Sequence, residues 1–394
     1  MKFSKRVSGI QPSATLAINA KAQELRAAGE NVVSLAVGEP DFPTPSHIIL
    51  AAKKALDDGF TRYTAVPGIP ELRQAVAGYF SKTYFIDCRF DEVMISNGGK
   101  QCLYNIIQAV VDPGDEVLIP GPYWVSYPAL VQLAQGIPVV VPTEPDENFL
   151  VSPENLERHV TGKTKVLILN TPSNPTGCHY KQDLLVELAQ WAASRNIFVI
   201  CDEIYDQLVY APAKQSSLCG FWSENKDKAA VVNGLSKTFA MTGWRVGYVL
   251  AHNDLIKSMS KIQGQSTSNI CSIAQKGALA ALTGSFDFVE QMKSAFAPRR
   301  DMAIEIVNSW KDAYCPKPDG AFYIFPRVDS FYKGDVDSSA RLCQIILEEE
   351  KIALVPGQAF GDDRCIRISY AVNDKILKDC LERIGALLHR LRNN

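Results

Sequence analysis

The sequence predicts an α/β fold: a mostly parallel, seven-stranded sheet with helices on both faces, followed by a smaller α+β unit. Seven short apolar runs predict the sheet: Val93–Ser96, Val117–Pro120, Pro138–Val141, Val166–Leu169, Ile197–Cys201, Ala230–Val232 and Val246–Leu250. Their continuous apolar character marks strands buried on both faces. Most are separated by stretches of helical periodicity, such as Leu184–Ala192. The texture changes after about residue 290. A long helical pattern, Phe288–Trp310, then leads to strand-like Gly320–Phe325, a helix near 338–350, strand-like Cys365–Tyr370 and a terminal helix from about 373.

The bulk numbers bound the function. A chain of 394 residues exceeds what one hydrophobic core usually serves, so two domains are expected. A net charge of −2 leaves no basic excess to hold a nucleic acid. No apolar run approaches the roughly 20 residues that a membrane span needs. The ten cysteines contain no C-x-x-C pair or metal-knuckle spacing, and no N-terminal signal pattern precedes them. They read as reduced thiols of a cytoplasmic protein. The five histidines carry no spacing that suggests catalysis, and no metal is expected.

In sheets of this kind ligands bind beyond the carboxyl ends of the strands. The polar residues that follow each run are therefore the candidates. Asn97-Gly-Gly-Lys100 follows the first run and opens a helical pattern. Glycines there leave N–H groups free for a phosphate, although a plain strand–helix turn uses the same residues. Trp124 follows the second run, either to stack on a flat ring or as a core aromatic. After the fourth run, Thr171-Pro-Ser-Asn174-Pro-Thr-Gly177 forms a proline-fixed loop around Asn174. It is a tight turn or an amide aimed at a ligand. Asp202-Glu-Ile-Tyr205 closes the fifth run. A carboxylate there costs free energy unless a cation, a salt bridge or a helix cap satisfies it.

The sixth run ends at Asn233-Gly-Leu-Ser-Lys237, and Arg245 follows eight residues later. A lysine in apolar surroundings has a lowered pKa and can form an imine with a carbonyl, which is how pyridoxal phosphate is carried. Far downstream, Arg367 sits in a strand-like setting, to pair with a buried acid or to grip a ligand carboxylate with both nitrogens.

Together, Ser173-Asn-Pro-Thr-Gly177, Asp202-Glu-Ile-Tyr205 and Ser236-Lys-Thr-Phe-Ala-Met-Thr-Gly-Trp-Arg245 resemble the class I aminotransferases of pyridoxal-phosphate fold type I. Gly38-Glu-Pro-Asp-Phe42, Tyr63-Thr-Ala-Val-Pro-Gly68 and Gly320-Ala-Phe-Tyr323 are similar to the bacterial aspartate aminotransferase branch, which includes aspartate/prephenate aminotransferases. The resemblance implies that Lys237 carries pyridoxal 5'-phosphate and shuttles the proton, and that Asp202 pairs with the ring nitrogen. It places Asn174 and Tyr205 at the ring's phenolic oxygen and Trp124 on its face. It gives the phosphate to the backbone N–H groups of Gly99 and Lys100 and to Arg245, with Tyr63 reaching across from a second subunit of a homodimer with shared active sites. Arg367, with Gly38, Trp124 and Asn174, takes the substrate α-carboxylate.

The implied organisation is an N-terminal lid segment over 1–46 that belongs to the small domain, a large cofactor-binding domain over 47–290, and a small C-terminal domain over 291–394. Thr44-Pro45 and Ala297-Pro298 are plausible junctions. The implied reaction is reversible ping-pong transfer of the amino group of L-aspartate to 2-oxoglutarate. Lys100 and the segment Gln11-Pro-Ser13-Ala-Thr15 would meet the second carboxylate. Two positions depart from the pattern. Gln11 stands where members that accept prephenate well often carry a basic residue, and Tyr127 where better-known aspartate aminotransferases have histidine. The alternatives are an aromatic, alanine or aspartate/prephenate aminotransferase or a β-lyase on the same scaffold. A non-catalytic regulator is a further alternative, but such regulators usually add a helix-turn-helix, and here the chain starts at the lid segment.

Overall fold

The computed structural model describes residues 3–10 and 14–393. Each apolar run becomes one strand of a seven-stranded sheet: β1 (Val93–Ser96), β2 (Glu116–Pro120), β3 (Ile137–Val141), β4 (Thr164–Asn170), β5 (Phe198–Asp202), β6 (Ala229–Gly234) and β7 (Gly247–Leu250). Alternate residues enter two different cores. Leu167, Leu169, Val199, Cys201 and Val231 pack on one side of the sheet. Val166, Ile168, Ile200, Ala230 and Val232 pack on the other. Burial on both faces is the reason these strands read as unbroken apolar runs.

The strand order is β1-β7-β6-β5-β4-β2-β3. Pairs β2/β3, β2/β4, β4/β5 and β5/β6 are parallel. Strand β7 runs antiparallel to both β6 and β1. The cause is local. Only Leu235–Val246 joins β6 to β7, a segment that folds as one helical turn and one 3₁₀ turn. It stands at the lower limit of about a dozen residues for a parallel crossover, and it is spent on two short turns instead of one crossover helix. The chain therefore turns back, Gly234 pairs with Gly247, and the segment carrying Lys237 stays at the carboxyl edge of the sheet.

A separate core follows. The helices Asp287–Ser309, Ser339–Glu350 and Asp374–Asn393 cover an antiparallel three-stranded sheet in the order Val355–Pro356, Ile366–Ser369, Tyr323–Ile324. The N-terminal segment joins this core. Val33–Ser34 pairs in parallel with Ile352–Ala353, and Ser369 N–H donates to the Leu35 carbonyl at 2.8 Å. Ala297-Pro298 lies inside the unbroken helix Asp287–Ser309. Val289 of that helix packs in the core beneath the large sheet, whereas Phe296 and Val307 pack in the second core. All ten cysteines are free. Among the described residues no helix is long and apolar enough to cross a membrane, and no cluster of three or more metal-ligating side chains occurs.

Candidate active site

The loops leaving the carboxyl ends of β1, β2, β4, β5 and β6 converge on one cavity of about 290 Å³. Gly38, Gly99, Lys100, Trp124, Asn174, Asp202, Tyr205, Lys237, Arg245 and Arg367 all line it. Tyr63 does not; it is 91% exposed on the surface of the single chain. Gln11 and Ser13 lie outside the described residues, as does the side chain of Thr15.

Lys237 sits in the helical turn Leu235–Thr238, and its Nζ donates to the Gly38 carbonyl at 2.5 Å. Burial lowers its pKa to about 8. Glu39 and Asp202 oppose the shift, while Arg367 and Arg245 add to it. The neutral amine is thus accessible near physiological pH, as a nucleophile or base requires.

Asp202 ends β5 and is 5% exposed. Tyr127 Oη donates to its Oδ2 at 2.8 Å, and the Ile204 N–H donates to its Oδ1 at 3.3 Å. Both donors are neutral. Burial raises the Asp202 pKa to about 6, against the pull of those two bonds. A carboxylate buried without a cation bound to it is unstable on its own. A cationic group in the cavity would relieve it. Tyr127, a departure from the histidine of better-known aspartate aminotransferases, therefore supports this carboxylate directly.

Arg367 lies on the strand Ile366–Ser369 and is 2% exposed. Nη1 donates to Asn174 Oδ1 at 2.9 Å and Nη2 to the Ala36 carbonyl at 2.6 Å. Its Nε is buried and unpartnered, and among the described residues no hydrogen bond or ion pair joins it to an acid. A guanidinium without an acidic partner is available to a ligand carboxylate. Asn174 is held in turn, since its N–H donates to Asn170 Oδ1 at 2.9 Å while Asn170 Nδ2 donates to the Asp202 carbonyl oxygen at 2.9 Å.

The opposite end of the cavity suits an anion. In the helix Gly99–Val110, the Gln101 and Cys102 N–H groups bond back to Gly98. The N–H groups of Gly99 and Lys100 are left at the positive end of the helix. Gly98 has φ of +82°, and a Cβ there would meet Arg245 Nη2 at 2.5 Å. Only glycine lets the guanidinium lie this close to the turn. Trp124 forms a wall, edge-on to Tyr127 at 5.4 Å between centroids. Lys100 Nζ, also in the lining, sits 5.1 Å from the Trp124 ring centroid.

The cavity therefore fits a flat group that is cationic at one edge, anionic at a side arm and open to imine formation. Several lining residues were not anticipated: Asn170, Ser236, Thr242 and Tyr323. Ser236 and Thr242 fall within the lysine motif itself, which was their one visible signal. Nothing in the strand pattern around Tyr323 says which element its side chain faces.

The family model for aminotransferase class I and II matches residues 30–384. The aspartate aminotransferase of Bacillus subtilis is 42% identical over 394 residues, covering 99% of this chain and 100% of its own. A probable aspartate/prephenate aminotransferase of Aquifex aeolicus is 42% identical over 391 residues, with 99% of each chain covered. Among solved structures, the Thermus thermophilus aspartate aminotransferase with maleate superposes with a TM-score of 0.93 at 39% identity, over 98% of this chain and 100% of the other.

Proposed function

The chain belongs to the class I and II aminotransferase family, and on that premise we propose that it transfers the amino group of L-aspartate to 2-oxoglutarate, reversibly and by a ping-pong sequence, with pyridoxal 5'-phosphate as cofactor. The observation that carries this is the convergence of Lys237, Asp202, Arg367 and Lys100 on one cavity. The cofactor, when bound, supplies a protonated pyridine that delocalises the electron pair left at the substrate Cα. Asp202 keeps that nitrogen protonated. The backbone N–H groups of Gly99 and Lys100, with Arg245, would hold the phosphate. Tyr205 and Asn174 face the ring oxygen. Arg367 would grip the α-carboxylate and so fix which bond of the substrate Cα is set for cleavage, favouring proton transfer over decarboxylation. Lys237 then moves the proton at Cα.

Tyr63 supports a homodimer. Its exposed phenol fits a role toward the phosphate of a partner subunit. The segment 1–46 together with 291–394 is the unit expected to close over substrate, with the rest of the chain as its base. Ten free cysteines support a cytoplasmic location. The Aquifex aeolicus relative favours a second reading, in which prephenate is accepted as well. Half-reaction rates with aspartate, alanine, phenylalanine and arogenate separate the readings. Aspartate reacting no faster than alanine would sink the first.

Lys100 carries the substrate argument, because it supplies a cation for a distal carboxylate. Lys100→Ala should lower kcat/KM for aspartate about 10-fold or more, the effect of losing a bond to a charged group of ~1.5–3 kcal/mol. Alanine should be nearly unaffected. Equal losses for both amino acids would remove the argument.

Tyr127→Phe tests the support of Asp202. Losing that donor raises the Asp202 pKa further, so more of the carboxyl is protonated near pH 6.5 and unable to pair with the ring cation. Affinity of the cofactor-free protein for pyridoxal phosphate should fall about 10-fold at pH 6.5. The gap should narrow by about pH 8.5, where both proteins hold the carboxylate. Fluorescence titration at the two pH values is the measurement. A pH-independent difference would count against it.

A further inference from the structure

Resting on that reading, we infer that Tyr323 is a positioning residue that couples the carboxylate-binding arginine to the tyrosine facing the cofactor ring. Tyr323 lies on the strand Tyr323–Ile324, is fully buried, and is in register with Ser369 of the neighbouring strand. Arg367 is two residues from Ser369 on the same face, so the Tyr323 ring meets it diagonally. The guanidinium carbon sits 4.6 Å from the ring centroid, within cation–π range. At the far end of the ring, the Tyr323 hydroxyl is 2.9 Å from the Tyr205 hydroxyl. One side chain thus touches both halves of the site.

The direction of the hydroxyl pair follows from proton counting. A phenol has one proton to donate. If Tyr205 donates toward the ring oxygen, Tyr323 must donate to Tyr205. A donor that itself accepts a hydrogen bond is polarised and donates more strongly. Tyr323 therefore strengthens the hold of Tyr205 on an anionic ring oxygen. Gly38 makes room for this arrangement: a Cβ at that position would meet Tyr323 Oη at 2.7 Å. The same glycine presents the carbonyl that Lys237 contacts.

The two contacts separate by mutation. Tyr323→Phe keeps the ring under Arg367 and deletes the hydroxyl. The pH titration midpoint of the bound cofactor's absorbance should move upward, because the anionic ring oxygen loses support. KM for amino acids should change by less than about twofold, since the cation–π contact persists. Tyr323→Leu should add a rise in KM of about 2–30-fold for every amino acid, the range from an exposed to a desolvated cation–π contact. In a Tyr205→Phe background, Tyr323→Phe should shift the midpoint no further. An unmoved midpoint in Tyr323→Phe, or a full additional shift in the double variant, would overturn the inference. Tyr323→Phe preserves volume, so the test stands even if Tyr323→Leu does not fold. Failure of the parent reading has a different signature: wild-type protein incubated with pyridoxal phosphate would show no absorbance band that Lys237→Ala abolishes.

Discussion

Lys237→Ala should reduce transamination of aspartate by about 10⁴-fold, the upper end of what one general acid–base group contributes, since the same side chain also carries the cofactor. The cofactor-dependent absorbance band of the wild type should be absent or displaced. Steady-state rates and spectra of both proteins check this. Residual turnover within about tenfold of wild type would be incompatible with the assignment. The same substitution has a stability consequence of opposite sign. Burial holds the Lys237 pKa at about 8, below its ordinary value of 10.5. Between those two values the unfolded chain binds more protons than the folded one, so this group's contribution to stability rises with pH through that window. Below about pH 8 the buried ammonium costs the cofactor-free protein up to about 3 kcal/mol. The Gly38 hydrogen bond offsets part of that cost. Cofactor-free Lys237→Ala should therefore be more stable than the wild type at pH 7, with the difference shrinking toward pH 10.5. Denaturant titrations at pH 7 and pH 10 measure it.

The second large effect is expected at Arg367. Arg367→Ala should lower kcat/KM for every amino acid by about 30- to 5,000-fold, corresponding to the ~2–5 kcal/mol lost when one partner of a buried charge pair is removed. The loss should be shared by aspartate, alanine and phenylalanine, because the α-carboxylate is common to all of them. Arg367→Lys should recover little. An ammonium cannot present two parallel donors while also bonding Asn174 Oδ1 and the Ala36 carbonyl, as the guanidinium does. Substrate profiles of both variants decide it. A loss confined to dicarboxylic amino acids would move Arg367 to the distal end of the substrate and reassign Lys100.

The strands were legible because each is buried on both faces and therefore forms an unbroken apolar run. The antiparallel direction of β7 was not legible, because the connection from β6 is about as long as a minimal crossover. Asn174, Asp202 and Lys237 were legible because chemistry at the carboxyl edge of a parallel sheet falls just after those runs. Arg367 was visible only as a charge in an apolar strand. Its actual partners, Asn174 and the Ala36 carbonyl, emerged only in the folded chain.

The sequence by itself determined the sheet, the family motifs and the residue types that end the strands. The tertiary structure alone decided the pairings: Tyr127 with Asp202, Tyr323 between Tyr205 and Arg367, and Lys237 on the Gly38 carbonyl. The physical reason is that periodicity along a strand or helix reports whether a face is buried. What lies opposite that face depends on how elements far apart in the chain pack, and no local pattern encodes it.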